Sequence, residues 1–177
     1  MASYRKRYTE MEVRGMLQIY GGNRMMTGVG PGGRTQRSPA PAHASVHGGA
    51  SFLDQRARVN TPGEPRTTGT YWTFDDQVSA TTEILNSMQG QIALQRLEIG
   101  EKDCVMEAPL PHRKYKISSA HDDSDKGGGA GHLGRNNAGR MGAGSTHTQG
   151  YAVRGFVKAV AGINGTLQIQ TSFPIAG

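Results

Sequence analysis

The clearest candidates for chemistry lie in the last hairpin of the chain, where a lysine is predicted to face a threonine. Asn164-Gly165 is typical of a two-residue turn, because both residues accept the positive φ angles of a type I′ turn. The register set by that turn places Lys158 opposite Thr171, on a face that is otherwise apolar. A hydrophobic core does not need this pair, whereas a site that binds phosphate does.

The same register places Phe156 opposite Phe173 and Val160 opposite Ile169. The prediction is sensitive to register, because a slip of one residue would move Lys158 and Thr171 to opposite faces of the sheet. Exposed aromatic rings beside a basic groove can stack the bases of single-stranded RNA. Tyr71, Trp72 and Phe156 are candidates for that role, although aromatic residues that flank a helix start or lie in a central hairpin, such as Trp72 and Phe156, more often belong to the core.

A second candidate is His47 in the sequence His47-Gly48-Gly49. Histidine can act as a general base or acid because its unperturbed pKa lies near ~6.5. Arg58, about three helical turns further along, stays charged and can hold two phosphate oxygens at once. The remaining histidines have no spacing that singles one out; they are His43, His112, His121, His132 and His147.

Composition limits the classes of function. The chain has 177 residues and a formal charge of +6, which favours an acidic partner such as nucleic acid, an anionic membrane or an acidic protein. The longest apolar runs are too short for a transmembrane helix. A single cysteine, Cys104, excludes an internal disulfide and a cysteine-based zinc site, and its strand-like context predicts a buried thiol. No cofactor is predicted.

The elements that must position these residues follow from periodicity and breakers. A helix over 4–20 and a basic Gly/Pro-rich arm over 21–42 are predicted, then a short helix over 50–59 and a strand over 70–74. The strongest pattern predicts a long helix over 75–97, capped by Thr73 or Asp75. Its apolar stripe is formed by Val78, Thr81, Leu85, Met88 and Ile92. Strands are predicted over 103–108, 113–118, 151–161 and 166–173, with a long Gly-rich loop over 121–150.

Helices that precede mainly antiparallel strands indicate an α+β fold. The order and spacing of three short elements resemble the RNase A-like toxin domains at the C-termini of contact-dependent growth-inhibition and other polymorphic toxin proteins. These elements are His47 with Arg58, the helix entry Thr73-Phe74-Asp75, and the ending Thr171 with Phe173-Pro174. The resemblance covers about 43–177, so the chain is divided into residues 1–42, which hold the N-terminal helix and the basic arm, and a 43–177 RNase A-like toxin domain. Three features depart from the family pattern: Gly48 after the histidine, Phe173 in place of a tyrosine, and the longer Gly-rich loop.

The resemblance implies metal-independent cleavage of RNA, with tRNA as one candidate, by attack of the 2′-OH. It implies catalytic roles for His47, Arg58 and Thr171. Contacts to substrate are expected from Lys158, by the hairpin register, and from the aromatic residues Phe173 and Tyr71. It further implies delivery by a producing cell into the cytoplasm of a target bacterium and inhibition by a cognate immunity protein, expected to be acidic. The protein is then expected to be a monomer, or a heterodimer with that partner.

Other functions remain open from the sequence. An ADP-ribosyltransferase toxin should carry a catalytic glutamate on a late strand, and residues 151–177 contain none. A metal-dependent DNase would need clustered ligands, of which His132 and Asn136 form only a weak version. A non-enzymatic basic nucleic-acid-binding or assembly protein, with residues 1–42 as a docking arm, would explain the charge and the glycines but not the set of His47, Arg58 and Thr171.

Overall fold

The structure is a computed structural model that describes residues 3–20, 25–29, 35–39, 47–49, 55, 67–122 and 145–177. These residues form three α-helices and seven β-strands, and the predicted α+β class is confirmed. The helices are α1 (Glu10–Tyr20), α2 (Phe74–Asn86) and α3 (Met88–Glu98). The strands are β1 (Met25–Val29), β2 (Thr35–Pro39), β3 (Thr67–Tyr71), β4 (Asp103–Pro109), β5 (Lys116–Asp122), β6 (Ser145–Ala161) and β7 (Leu167–Ala176).

The long strand β6 organises the main sheet. Its first half pairs with β5, which pairs in turn with β3, and its second half lies between β4 and β7. All of these pairings are antiparallel. The sheet therefore consists of two three-stranded halves that share one strand, while β1 and β2 form a separate hairpin.

The N-terminal part differs from the prediction in two ways. The first helix begins at Glu10 rather than at residue 4, and residues 3–9 are not helical. Residues 25–29 and 35–39, predicted as part of an arm, pair as an antiparallel hairpin. Residues 121–122 and 145–150, predicted as the two ends of the Gly-rich loop, belong instead to β5 and β6, which pair with each other. The rest of the arm, the short helix over 50–59 apart from Gln55, and residues 123–144 lie outside the described residues.

The predicted long helix is in fact two helices. Ser87 adopts an extended conformation (φ −70°, ψ 162°), and its hydroxyl accepts a hydrogen bond from the backbone N–H of Gly90. The break turns the second helix, so Met88 and Ile92 are 72% and 60% exposed instead of continuing the buried stripe. The predicted cap at Thr73 is confirmed, since its hydroxyl accepts from the N–H of Asp76.

The core lies between the helices and one face of the sheet. Cys104 is among its members; it is 1% exposed, and burial raises the pKa of its thiol to about 11, as expected for an unreactive cysteine. The largest fully buried apolar side chains are Tyr71, Tyr115, Leu17, Ile84, Leu85, Leu94, Met106, Ile169 and Val13. The burial of these apolar side chains is the main source of stability for the domain.

The last hairpin turns at the predicted residues. Asn164 and Gly165 have φ angles of 58° and 73°, the positive values that the Asn-Gly sequence tolerates. The N–H of Gly162 donates to the carbonyl of Thr166 at 2.7 Å, so the loop contains three residues rather than the predicted two.

A β-bulge compensates for the extra loop residue. Next to the loop, Val160 pairs with Gln168, so the predicted pairing of Val160 with Ile169 is wrong. Gln170 is then bypassed, which shifts the register back by one residue. Beyond the bulge the predicted pairs are present, with Lys158 opposite Thr171 and Phe156 opposite Phe173.

Candidate functional site

The candidate site lies on the face of β6 and β7 that points away from the helices. Alternation along β7 buries Ser172 and Pro174 on the helix side, whereas Thr171 and Phe173 are only partly buried. Their partners Phe156 and Lys158 on β6 are partly buried as well. We call the surface formed by Phe156, Lys158, Thr171 and Phe173 the open face.

His47 lies at the edge of the open face and joins β3 to β7. Its side chain is 93% buried, with Nδ1 2.7 Å from the carbonyl oxygen of Gly69. A carbonyl oxygen only accepts hydrogen bonds, so Nδ1 carries a proton and Nε2 is the nitrogen that can gain and lose one. The imidazole centroid is 5.6 Å from that of Phe173, at an interplanar angle of 48°.

The glycines after His47 explain how a buried histidine is held at this point. Gly48 forms a parallel bridge with Tyr71, and the N–H of Gly49 donates to the Tyr71 carbonyl at 3.0 Å. A Cβ at position 48 would lie 2.4 Å from Oε1 of Gln77, so any larger residue would displace the end of this side chain. Gly49 has a φ of 75°, which favours glycine. The glycines at positions 48 and 49 therefore allow this segment to pack closely against α2.

Three aromatic rings form a row across the open face. Phe173 stacks on Phe156 with a centroid distance of 4.6 Å and an angle of 18°, and His47 lies on the other side of Phe173. Such stacked and tilted arrangements are favourable for aromatic pairs. Phe173 is thus packed between Phe156 and the imidazole of His47.

Thr171 lies on β7 between Phe173 and the bulge at Gln170, and its side chain carries a hydroxyl. Its Oγ1 is shielded from solvent and has no hydrogen-bond partner among the described residues. A buried hydroxyl left in this state costs about 1–3 kcal/mol. A phosphate oxygen could satisfy it, once the atoms that cover it have moved.

Lys158 lies opposite Thr171, but its charge points away from it. The Nζ of Lys158 is 3.2 Å from Oδ2 of Asp103 on β4, and β4 and β7 flank β6 on opposite sides. Arg154 forms a similar pair with Glu107, at 2.5 Å. These two cations next to the open face are thus partly neutralised, and Lys158 does not add its charge beside Thr171 as the register predicts.

Tyr71 lies in the core rather than on a binding surface. Its side chain is fully buried, burial raises its pKa, and its hydroxyl has no partner among the described residues. The ring packs edge-on against Tyr115 and is not accessible to a base. The adjacent Trp72, by contrast, is half exposed.

Two residues at this site were not identified from the sequence. Gly69 supplies the carbonyl that orients His47, and backbone acceptors leave no signal in residue type. Gln77 is fully buried, and its Nε2 donates to the Ser172 carbonyl at 2.9 Å. The sequence feature that could have identified Gln77 is its place next to the apolar stripe of a predicted helix.

The predicted site residue Arg58 lies outside the described residues.

Within the described part of the chain, no three residues of the His, Cys, Asp and Glu types cluster as metal ligands would. None of the described helices has the length and hydropathy needed to cross a membrane.

No protein-family model and no curated protein matches this chain. Among solved structures, the chain is similar to one described as the CdiA-CT/CdiI complex from Y. kristensenii 33638. The similarity has a TM-score of 0.47 and 12% sequence identity, and it covers 74% of this chain and 96% of that one.

Proposed function

We propose that the protein is a metal-independent endoribonuclease toxin that cleaves RNA through attack of a 2′-OH on the adjacent phosphate. The observation that carries this proposal is the arrangement of His47. A backbone carbonyl fixes its Nδ1 proton, and Phe173 holds the ring beside the strand that carries Thr171. An imidazole held in one tautomer is suited to general acid–base catalysis.

In the proposed reaction, Nε2 of His47 removes the proton of the 2′-OH as that oxygen bonds to phosphorus. The bond to the 5′ oxygen breaks, which leaves a 2′,3′-cyclic phosphate, and the 5′ oxygen takes a proton from a general acid. His112 lies in an exposed turn. The other candidates for that acid have side chains outside the described residues; they are His43, His121, His132 and His147.

Negative charge builds up on the non-bridging oxygens during this step, and it requires donors that hold them. Thr171 would donate its unpaired hydroxyl to one such oxygen, and Arg58 would contribute a permanent charge with two parallel donors. Lys158 would contribute at longer range, because Asp103 shares its charge. These roles are proposals from the resemblance and from residue chemistry.

The aromatic row favours single-stranded RNA as the substrate. An unpaired base would stack on the side of Phe156 that does not face Phe173, a mode of binding that tolerates many sequences. A tRNA offers such bases in its loops and at its 3′ end. The half-exposed Trp72 is a further candidate for stacking.

A ribonuclease of this kind would endanger the cell that makes it, so we propose a cognate immunity protein as its partner. A net charge of +6 is best complemented by an acidic surface, which also accelerates association. The enzyme would then act in the cytoplasm of a target bacterium after delivery.

Incubation of RNA with the purified protein in excess EDTA tests the proposal, with gel analysis of the products. Cleavage that yields 2′,3′-cyclic phosphate ends, and that persists in EDTA, is expected. RNA that is bound but not cut would instead support a non-enzymatic binding protein. Loss of cleavage in EDTA with recovery in Mg²⁺ or Zn²⁺ would show a metal-dependent nuclease.

A further inference from the structure

The buried carboxamide of Gln77 touches the two chain segments that carry the proposed catalytic groups. On one side its Nε2 donates to the carbonyl of Ser172, the residue between Thr171 and Phe173. On the other side its Oε1 packs against Gly48, the residue after His47. Gln77 itself is fully buried on α2.

Each contact depends on Gln77 in a different way. The Ser172 carbonyl accepts from Nε2 of Gln77, and alternation along β7 places the side chains of its neighbours Thr171 and Phe173 on the open face. Gly48 fits against the carboxamide only because it has no Cβ. A polar side chain in a core is costly unless it is satisfied, so its presence here calls for a reason other than packing.

We infer that Gln77 is a positioning residue that sets the distance between the His47 imidazole and Thr171, and this inference rests on the proposed ribonuclease function. Gln77 does not touch the RNA. It fixes the separation of two segments that come from distant parts of the chain. A shift of about 1 Å in such a separation can lower a rate by about 100-fold.

A neighbouring hydrogen bond provides a matched control. The hydroxyl of Thr81 donates to the backbone carbonyl of Gln77 at 2.6 Å, and it forms a hydrogen bond with the Ser172 hydroxyl at 2.7 Å. Ser172→Ala removes this hydroxyl pair in the same buried cluster but leaves the Ser172 carbonyl and the Gln77 carboxamide in place. Ser172→Ala therefore shows how the loss of a buried hydrogen bond that does not involve the Gln77 carboxamide changes Tm and kcat.

The test compares Gln77→Met, which keeps the volume but removes the donor, with Ser172→Ala and the unmodified protein. We expect Gln77→Met to lower kcat for RNA cleavage in EDTA by about 10- to 100-fold, with KM changed by less than about threefold. Ser172→Ala should lower the Tm but leave kcat per folded molecule within about threefold. Equal kcat values for Gln77→Met and the unmodified protein, or equal losses in both variants, would overturn the inference.

A second measurement does not depend on activity. The His47 ring protons experience the ring current of Phe173 at a centroid distance of 5.6 Å, so their NMR shifts report that distance. Gln77→Met should move these shifts and weaken the His47–Phe173 NOEs, whereas Ser172→Ala should not. Unchanged shifts in a folded Gln77→Met variant would reject the positioning role. If the unmodified protein does not cleave RNA but the shifts move, only the proposed function fails.

Discussion

The carbonyl oxygen of Gly69 lies 2.7 Å from Nδ1 of His47, and it fixes which imidazole nitrogen can accept a proton. This hydrogen bond allows structure and chemistry to be separated at position 47. The amide of an asparagine can replace the Nδ1–H donor, but it supplies no base in place of Nε2.

His47→Asn is therefore expected to fold and to lose activity. Cleavage of RNA should fall by about 10²–10⁴, the usual contribution of a general acid or base. Glu101→Gln, which breaks an exposed ion pair with Arg96, is the control and should cleave normally. Circular dichroism and cleavage gels provide the measurements, and near-normal cleavage by folded His47→Asn would contradict the role assigned to His47.

Thr171→Val should separate function from stability. The variant keeps the shape of the side chain and removes a hydroxyl that has no partner among the described residues. The free energy of unfolding should stay unchanged or rise by about 1 kcal/mol, because an unsatisfied buried group is removed. RNA cleavage should fall clearly. A Thr171→Val variant that unfolds more easily would show that this hydroxyl is satisfied in solution.

Lys158 and Asp103 should have opposite effects on RNA binding. Lys158→Met removes one cation and should flatten the salt dependence of binding by about one phosphate contact. Asp103→Asn releases Lys158 from its partner and should tighten binding at low salt. Filter binding across a salt series measures both. Neither change should alter the free energy of unfolding by more than about 1 kcal/mol, since exposed ion pairs contribute little. If Lys158→Met and Asp103→Asn bind RNA with the same affinity across the salt series, Lys158 does not contact the RNA.

Stability should depend on Glu98 at low pH. Its carboxylate accepts from the backbone N–H of Arg5, from the Arg5 side chain and from the N–H of Tyr4, which lowers its pKa from 4.5 to about 2. A lowered pKa in the folded state stabilises the fold above pH 4.5, and this contribution is lost as the pH falls towards 2.

Glu98→Gln should therefore lower the Tm at pH 7 and reduce the fall in Tm between pH 5 and pH 2. Amide hydrogen exchange of Tyr4 and Arg5 should become faster in this variant, because their shared acceptor is weakened. Glu107→Gln, which breaks an exposed ion pair, is the control and should leave the exchange of both amides unchanged. Unaltered exchange of both amides in Glu98→Gln would contradict the role of Glu98 as the acceptor that holds the N–H groups of Tyr4 and Arg5.

Tyr71→Phe tests the placement of Tyr71 in the core. The hydroxyl is buried without a partner among the described residues, so its removal should preserve or raise the free energy of unfolding, by up to about 1 kcal/mol. RNA binding should not change, because the ring is not accessible. Weaker RNA binding by Tyr71→Phe would return Tyr71 to the substrate site. Chemical denaturation and filter binding distinguish these outcomes.

Local chemistry predicted the turn residues of the last hairpin and the side chains that share its open face, but not the length of the loop or the bulge. Asn164 and Gly165 have the backbone freedom that the turn requires, and strict alternation sets Lys158 opposite Thr171. The Thr73 cap and the buried Cys104 were also predictable, because a cap and an apolar strand position depend on near neighbours. Even the extra loop residue left these pairs unchanged, since the bulge at Gln170 restored the register.

Tertiary packing, and not sequence periodicity, determined the exposure of the second helix, the direction of the Lys158 side chain and the position of His47. The break at Ser87 exposes Met88 and Ile92, although both continue the stripe in the sequence. Asp103 draws the Lys158 charge away from Thr171, because a long side chain follows the nearest opposite charge and not the strand register. The placement of His47 against Gly69 and Phe173 joins segments far apart in sequence, and only the folded sheet brings them within hydrogen-bond and van der Waals distance.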